Sequence, residues 1–172
     1  EVTALMSLLI SAIKDELPGM IKKDIRLIAI GDLSKLPASS RAELDKAMAK
    51  TANNKGLTLN LALSYSGKWD LVQATQQIAE KVKSGELTAE SIDSNTINEY
   101  LSTAGMPDPD LMIRTGGDHR ISNFMLWQLA YAELYIFEDL FWPDFRKEHQ
   151  NEAIIDFQMR ERRFGKISEQ LN

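Results

Sequence analysis

The chain has 172 residues, of which 44% are hydrophobic and 26% charged, and its net charge at pH 7 is −5. That length suits one domain over residues 1–172, and the negative charge argues against nucleic acid as the main partner. The sequence contains no cysteine, which excludes disulfides, thiolate metal sites and a cysteine nucleophile, and no apolar run reaches the roughly 18 to 20 residues of a membrane span.

The first half of the sequence is predicted to alternate helices with strands. Apolar residues at three-to-four spacing predict an amphipathic first helix, which Pro18 ends. A run of β-branched residues then predicts a buried strand, and a second strand follows a helix that a serine caps. The predicted elements are a helix over 2–17, a strand over 25–30, a helix from Ser39 or Ser40 to about Asn53, a strand over 57–65 and a helix over 69–83.

The second half is predicted to continue the alternation. Pro107 and Pro109 forbid a helix and lead into a third apolar strand. The predicted elements are one or two short helices over 88–102, a strand over 111–113, a helix over 124–133, a strand over 134–137, a turn over 142–145 and a helix from His149 to about Phe164. Apolar strands separated by helices predict an α/β fold with a largely parallel central sheet flanked by helices.

The loop after the third strand has the composition of an anion-binding site. It contains Arg114, Arg120, two adjacent glycines and Ser122 before the next predicted helix. Guanidinium groups bind phosphate oxygens, glycines let backbone N–H groups approach an anion, and a helix N-terminus adds positive potential. An ordinary turn is an equally good interpretation, in which Ser122 or Asn123 caps the helix and the arginines are solvated or paired with Asp108 and Asp110.

Two other residues stand in chemically notable places. Glu133 lies on the predicted apolar helix, where a carboxylate needs a partner. An ion pair with an arginine is the simpler interpretation, with a metal as the alternative. His119 lies in the arginine-glycine loop, but a single histidine does not by itself indicate a metal site. The aromatic cluster is predicted to be core or a subunit contact; its members are Phe137, Phe141, Trp142 and Phe145.

Several stretches of the sequence resemble one family in the same order. Residues 110–128 read DLMIRTGGDHRISNFMLWQ, and AELY and LFWPDF follow. The other stretches are EVTALM at 1–6, IGD at 30–32, LTLNLA at 57–62 and RERRFG at 160–165. Together they resemble the cis-prenyltransferases, most closely the bacterial undecaprenyl diphosphate synthases, over nearly the whole chain.

The resemblance implies an enzyme that transfers isopentenyl units in cis from isopentenyl diphosphate onto farnesyl diphosphate. The product would be an undecaprenyl-type polyprenyl diphosphate for the lipid carrier of cell-wall synthesis. The resemblance further implies Mg²⁺, which assists departure of the allylic diphosphate, and a homodimer. We expect a cytoplasmic protein that contacts the inner membrane peripherally during product release.

The resemblance also implies roles for individual residues. Arg114, Arg120 and Ser122 would hold the diphosphate of isopentenyl diphosphate. Glu133 and His119 would lie close to the metal and the diphosphate, within one subunit or across the dimer interface. Leu57 matches a position near the floor of the apolar product tunnel. The element that contains Arg163 and Gly165 would approach the diphosphate in the partner subunit.

The sequence departs from the family pattern in three places. Asp118 stands where glutamate is commoner, which shortens a side chain beside the site and keeps its charge. Lys68 stands where the family has arginine, so no site role is assigned to residues 64–68. The Asp-Gly-Asn-Gly-Arg loop, which carries the family's catalytic aspartate, does not occur in this sequence. We therefore expect a homologous N-terminal part of about 80 residues before Glu1, and a chain that is inactive alone.

Two other functions fit parts of the sequence. One is a non-catalytic partner subunit of a heteromeric cis-prenyltransferase, although such subunits usually have a degenerate form of the arginine-glycine loop. The other is a generic phosphate-binding or nucleotide-binding α/β domain. Neither Gly-x-x-x-x-Gly-Lys-Ser/Thr nor Gly-x-Gly-x-x-Gly occurs in the sequence to support it.

Overall fold

Helices and parallel strands account for most of residues 2–161, the part of the chain that the computed structural model describes, with side chains from residue 5. In chain order the elements are α1 (Val2–Lys22), β1 (Arg26–Ile30), α2 (Ala38–Thr51), β2 (Thr58–Ala62), α3 (Gly67–Lys83), α4 (Ser94–Tyr100), β3 (Leu111–Arg114), β4 (Glu133–Ile136) and α5 (Lys147–Met159). Short 3₁₀ turns lie at Leu33–Lys35, Ala89–Ser91 and Trp142–Asp144.

The described residues divide into two compact units, with the boundary between Ala104 and Gly105. Each unit contains a two-stranded parallel sheet, β1 with β2 in the first and β3 with β4 in the second. The predicted α/β class and the parallel pairing are therefore confirmed. The described strands form these two small sheets, where the sequence predicts one central sheet. A single domain over residues 1–172 stays a prediction.

The core of the first unit lies between its helices and β1. The side chains that form it are Ile13, Leu27, Leu36, Leu44 and Ala47. Buried Thr51 fixes the end of α2 to the strand, because its Oγ1 accepts a hydrogen bond from Leu27 N at 3.0 Å and donates one to Ala47 O at 3.1 Å. This buried hydroxyl thus both donates and accepts a hydrogen bond, as burial of a polar group requires.

Helix α1 continues through Pro18, so the predicted stop at that residue is wrong. A proline lacks the N–H that would bond the carbonyl four residues earlier. Leu17 and Met20, on either side of Pro18, both pack against the core of the first unit. Helical hydrogen bonding then resumes, since Lys23 N donates to Gly19 O at 3.0 Å. Burial of apolar side chains therefore outweighs one lost backbone bond.

Helix starts differ slightly from those predicted. Helix α2 begins at Ala38 after Pro37, so a serine cap at Ser39 or Ser40 is wrong. Helix α3 begins at Gly67, and the side chain of Ser66 caps it by accepting a bond from Trp69 N at 3.2 Å.

Behind that cap, Asp70 is only 2% exposed. Its carboxylate accepts hydrogen bonds from the Tyr65 hydroxyl at 3.0 Å and from Ser102 N at 2.9 Å. Residues 65–68 therefore form an ordinary strand-to-helix turn.

The second unit contains the largest departure from prediction. Residues 124–131, predicted as most of a helix, form turns instead. Ser122, Asn123 and Met125 have φ values of 48°, 62° and 45°. A right-handed helix requires negative φ, so these residues prevent it from starting. The predicted strand after it is confirmed, and β4 begins one residue early, at Glu133.

Helix α5 ends at Met159, and Arg160 has an extended backbone with φ −81° and ψ 141°. The predicted continuation of the helix is therefore wrong for Arg160 and Glu161. The rest of that prediction, up to Phe164, lies outside the described residues. Among the helices within residues 2–161, none is both long and apolar enough to cross a membrane.

Candidate anion-binding site

The loop that follows β3 is attached along its length to the segment that follows β4. Gly116 N donates to Leu140 O at 2.9 Å, and Gly117 N donates to Phe137 O at 3.0 Å. Gly117 has φ +71°, and a Cβ at this position would lie 2.7 Å from the backbone oxygen of Glu138. Glycine is therefore required here by both conformation and space. The loop lies at the carboxyl ends of two parallel strands, the edge where α/β sheets bind ligands.

Arg114 is the centre of the loop's polar contacts. Its Nη1 donates to Ser122 Oγ at 3.2 Å and to the backbone oxygen of Arg120. Its Nη2 donates to Asp118 Oδ2 at 2.9 Å. The same carboxylate oxygen accepts a bond from Arg120 Nη2 at 2.8 Å. The structure thus brings together all three residues predicted to bind the diphosphate.

The two arginines differ in exposure. The side chain of Arg114 is 22% exposed, that of Asp118 42% and that of Arg120 68%. Arg114 is thus held within the loop while Arg120 extends into solvent. Each guanidinium has five N–H donors, and the contacts described above leave most of those on Arg120 available. One carboxylate between two guanidiniums leaves a net positive charge suited to an anion.

Two expected features of this site are wrong. The glycine N–H groups do not point at a ligand, because Phe137 O and Leu140 O accept them. No helix follows the loop within the described turns of residues 122–131, so no helix N-terminus adds positive potential. The arginines pair with Asp118, whereas the ordinary-turn interpretation named Asp108 and Asp110. Side chains alone therefore supply the positive charge of this loop.

Glu133 lies at the other end of β4. Its Oε2 accepts a hydrogen bond from Arg160 Nη1 at 3.0 Å, which confirms the simpler interpretation of an ion pair with an arginine. Arg160 also donates to Leu134 O at 3.0 Å and to Asp156 at 2.5–2.6 Å. Burial lowers the pKa of Arg160, but the hydrogen bonds to the two carboxylates outweigh it and raise that pKa above its ordinary value.

His119 pairs with a different carboxylate, since its Nε2 lies 2.7 Å from Glu138 Oε1. Glu138 lies two residues beyond the last residue of β4, whereas Glu133 is its first residue. At about 3.3 Å per residue, the ends of this strand are about 10 Å apart. The structure therefore does not bring Glu133 and His119 together within one chain. Their approach to a metal across a dimer interface stays a prediction.

The remaining predicted site residues lie outside this cluster. Leu57 precedes β2 and is 67% exposed, so it does not line an enclosed tunnel in the described structure. Its role as tunnel floor stays a prediction. Arg163 and Gly165 lie outside the described residues.

The aromatic cluster is only partly packed. Phe137 and Phe145 are in edge contact, with ring centroids 5.9 Å apart. Phe141 and Trp142 are exposed, so a core position is wrong for these two residues. Their place in a subunit contact stays a prediction.

Sequence reasoning missed the residues that organise these sites. Asp118 is four residues after Arg114, a spacing that signals an ion pair only on a helix. Glu138 and Arg160 lie 19 and 27 residues from their partners, and no local pattern joins residues so far apart. The sequence offered only one indication of these residues: each predicted charged group needs a partner of opposite charge.

Comparison with known proteins identifies the family of the chain. The family model described as "Putative undecaprenyl diphosphate synthase" matches residues 1–165. An isoprenyl transferase from Chlorobaculum tepidum is 54% identical over 171 residues, which are 99% of this chain and 64% of that protein. A ditrans,polycis-undecaprenyl-diphosphate synthase, (2E,6E)-farnesyl-diphosphate specific, from Pseudomonas putida is 48% identical over 99% of this chain and 68% of its own length.

Solved structures of similar sequence have the same fold. Lavandulyl diphosphate synthase from Lavandula x intermedia, in complex with dimethylallyl diphosphate, superimposes with a TM-score of 0.93 at 36% identity, over 96% of this chain and 72% of that one. A probable undecaprenyl diphosphate synthase from Campylobacter jejuni gives a TM-score of 0.80 at 35% identity, over 96% of this chain and 75% of that one.

The α/β fold and these matches define the class of protein to which the chain belongs, that of the prenyltransferase families. Within that class, the chain belongs to the undecaprenyl diphosphate synthase family. The chain spans about two thirds of the length of the curated relatives it matches, 64% and 68% for the two named above.

Proposed function

We propose that the protein transfers isopentenyl units in cis from isopentenyl diphosphate onto an allylic diphosphate. The product is a long-chain, undecaprenyl-type polyprenyl diphosphate that serves cell-wall lipid carrier synthesis. The observation that carries this proposal is the convergence of Arg114, Arg120 and Ser122 after β3. The names of several relatives support it, since they specify undecaprenyl diphosphate synthesis from farnesyl diphosphate.

In this reaction the allylic diphosphate leaves, the isopentenyl double bond attacks the allylic carbon, and a proton is lost. Arg114 and Arg120 bind the diphosphate of the isopentenyl substrate, which stays attached to the product. The Ser122 hydroxyl adds a neutral hydrogen bond. Holding this group fixes the position of the attacking double bond, and orientation of this kind contributes strongly to bimolecular reactions.

Magnesium belongs to the proposal, but the described residues do not fit a metal site. Within that part of the chain, no three carboxylate, imidazole or thiolate groups converge as ligands. Arg160 engages Glu133, and His119 and Glu138 engage each other. Mg²⁺ prefers oxygen ligands, frequently including substrate phosphates. Within one chain, residues 5–161 therefore supply no complete set of ligands for Mg²⁺, and a contribution of Glu133 and His119 across a dimer interface stays part of the proposal.

The proposal also includes a homodimer in the cytoplasm that contacts the inner membrane at its periphery. The exposed side chains of Phe141 and Trp142 support a subunit contact in the second unit. The apolar character of a polyprenyl product supports release toward a membrane.

The experiment is an incorporation assay with radiolabelled isopentenyl diphosphate, farnesyl diphosphate and Mg²⁺. The chain is assayed alone and after it is joined to the part of the C. tepidum isoprenyl transferase that it does not cover. We expect the joined protein to make long polyprenyl diphosphates. We expect Arg114→Gln to lower kcat/KM for isopentenyl diphosphate about 30- to 100-fold, because a charge-assisted contact is lost.

Lys147→Gln is the matched control, since it removes one positive charge from an exposed residue at the start of α5. It should leave kcat/KM within about twofold of the starting value. A joined protein that folds and binds diphosphate but incorporates no isopentenyl units would contradict the proposed enzymatic activity. It would favour the alternative of a non-catalytic partner subunit.

A further inference from the structure

We propose that Asp118 is a positioning residue that fixes the spacing between the Arg114 and Arg120 guanidiniums. By fixing that spacing, it makes the site prefer a diphosphate to a single phosphate. This inference rests on the proposed function, because it concerns the same anion-binding loop.

One carboxylate oxygen holds both arginines. Arg114 Nη2 and Arg120 Nη2 lie 2.9 Å and 2.8 Å from Asp118 Oδ2. The two guanidiniums therefore lie side by side, within the reach of one diphosphate group. Arg114 is also anchored by Ser122 Oγ and by the backbone of Arg120. Asp118 joins the more exposed guanidinium, that of Arg120, to this anchored one.

Without the carboxylate this arrangement is unfavourable. Two like charges at such a distance repel each other, and the long side chain of Arg120 gains rotamer freedom in solvent. Removing Asp118 therefore leaves Arg114 in place and lets Arg120 move away. The loop would then hold one guanidinium group in a defined position, where it now holds two.

The number of guanidinium groups held in defined positions decides which anion the loop prefers. Inorganic phosphate is satisfied by one guanidinium fork, whereas a diphosphate offers a second phosphoryl group to a second fork. Two guanidinium groups at a fixed separation bind that second phosphoryl group with little further loss of side-chain entropy. The site as it stands should therefore bind diphosphate more tightly than phosphate by more than charge alone explains.

Asp118 also carries a negative charge, which repels any incoming anion. Asp118→Asn removes that repulsion for phosphate and for diphosphate together, while it loosens the spacing that favours diphosphate. Diphosphate carries more negative charge than phosphate, so relief of repulsion alone would raise the preference for diphosphate, whereas loss of the fixed spacing would lower it. The direction in which the ratio of the two dissociation constants changes therefore separates positioning from charge. Asp118→Glu keeps the carboxylate with a longer side chain, and Asp108→Asn makes the same charge change before β3, at the other end of the strand.

The test is calorimetric titration of the full chain with inorganic diphosphate and with inorganic phosphate, without a divalent cation. We expect Asp118→Asn to lower the preference for diphosphate about tenfold, the worth of one charge-assisted hydrogen bond. Asp118→Glu and Asp108→Asn should keep the preference within about threefold. Should the amide variant not fold, Asp118→Ser makes the same comparison, because serine also lacks the bridging carboxylate.

Two results would overturn the inference. Tighter binding of both anions to Asp118→Asn, with the preference for diphosphate unchanged or raised, would show that Asp118 only competes with the ligand. An unchanged preference with weaker binding of both anions would show a general structural role. If the unsubstituted chain bound neither anion, the proposed function would fail as well, so the two failures are distinguishable.

Discussion

The ion pair between Glu133 and Arg160 is expected to stabilise the second unit measurably. Arg160 follows α5, and its side chain joins that helix to the first two residues of β4 through Glu133 and Leu134 O. Replacing it with methionine keeps most of its aliphatic stem and removes every one of these hydrogen bonds. Glu133 and Asp156 then remain as neighbouring carboxylates without this cation.

The size of the effect follows from the exposure of the groups. The Arg160 side chain is 29% exposed, so its ion pairs are partly screened by water. An exposed pair contributes about 0.2–1 kcal/mol, and a charged hydrogen bond to a backbone carbonyl adds about 1 kcal/mol. We therefore expect Arg160→Met to cost about 2 kcal/mol. For a chain of this size the cost lowers Tm by about 4–8 °C.

The assay is thermal unfolding followed by circular dichroism, with Arg41→Met as the matched control. Arg41 makes a single ion pair with Asp45 on the exposed surface of α2, so its loss should cost about 0.5 kcal/mol or less. Glu133→Gln and the double variant complete a cycle, for which we expect a coupling energy of about 0.5–1 kcal/mol. Equal effects of Arg160→Met and Arg41→Met would refute this reasoning.

Three further outcomes are expected. The hydrogen bond to Glu152 and, after it, burial raise the pKa of Tyr135 above its ordinary value of 10.0. The stability from this contact is therefore complete below pH 10 and lost as pH rises through the folded pKa. Urea unfolding should show the advantage over Tyr135→Phe disappearing in that range, and a constant advantage up to pH 12 would contradict it. Gly117→Ala should destabilise the protein by about 1–2 kcal/mol more than Gly116→Ala, because only the first places a Cβ against Glu138 O; equal urea midpoints would disprove the clash. EDTA should abolish turnover of the joined protein yet leave inorganic diphosphate binding to the loop within about twofold, and calorimetric loss of that binding would place a metal in the arginine site.

Local sequence patterns predicted the strands and most helices because they depend on neighbouring residues. The apolar runs that became β1 to β4 are short and bounded by turn residues, so their positions could be read directly. The helix over 124–133 failed because positive φ at Ser122, Asn123 and Met125 is not encoded by hydrophobic spacing. Similarly, Pro18 signals a helix end, but the packing of Leu17 and Met20 that overrides it is a tertiary effect.

The same distinction between local and tertiary effects applies to the candidate site. Arg114, Arg120 and Ser122 are within nine residues of one another on one loop, so their convergence was predictable. The partner of Glu133 was predicted as a type of residue, an arginine, but its identity depends on how α5 lies against β4. The bridge through Asp118 depends on the loop's backbone conformation, which two glycines of positive φ determine.

The central claim is that the loop after β3 binds the diphosphate of isopentenyl diphosphate. The most direct measurement is the calorimetric dissociation constant of isopentenyl diphosphate for the full chain, for Arg114→Gln and for the control Lys147→Gln. We predict that Arg114→Gln weakens binding about 30- to 100-fold, equivalent to about 2–3 kcal/mol, and that the control changes it less than twofold. Equal affinity for all three proteins would contradict the claim.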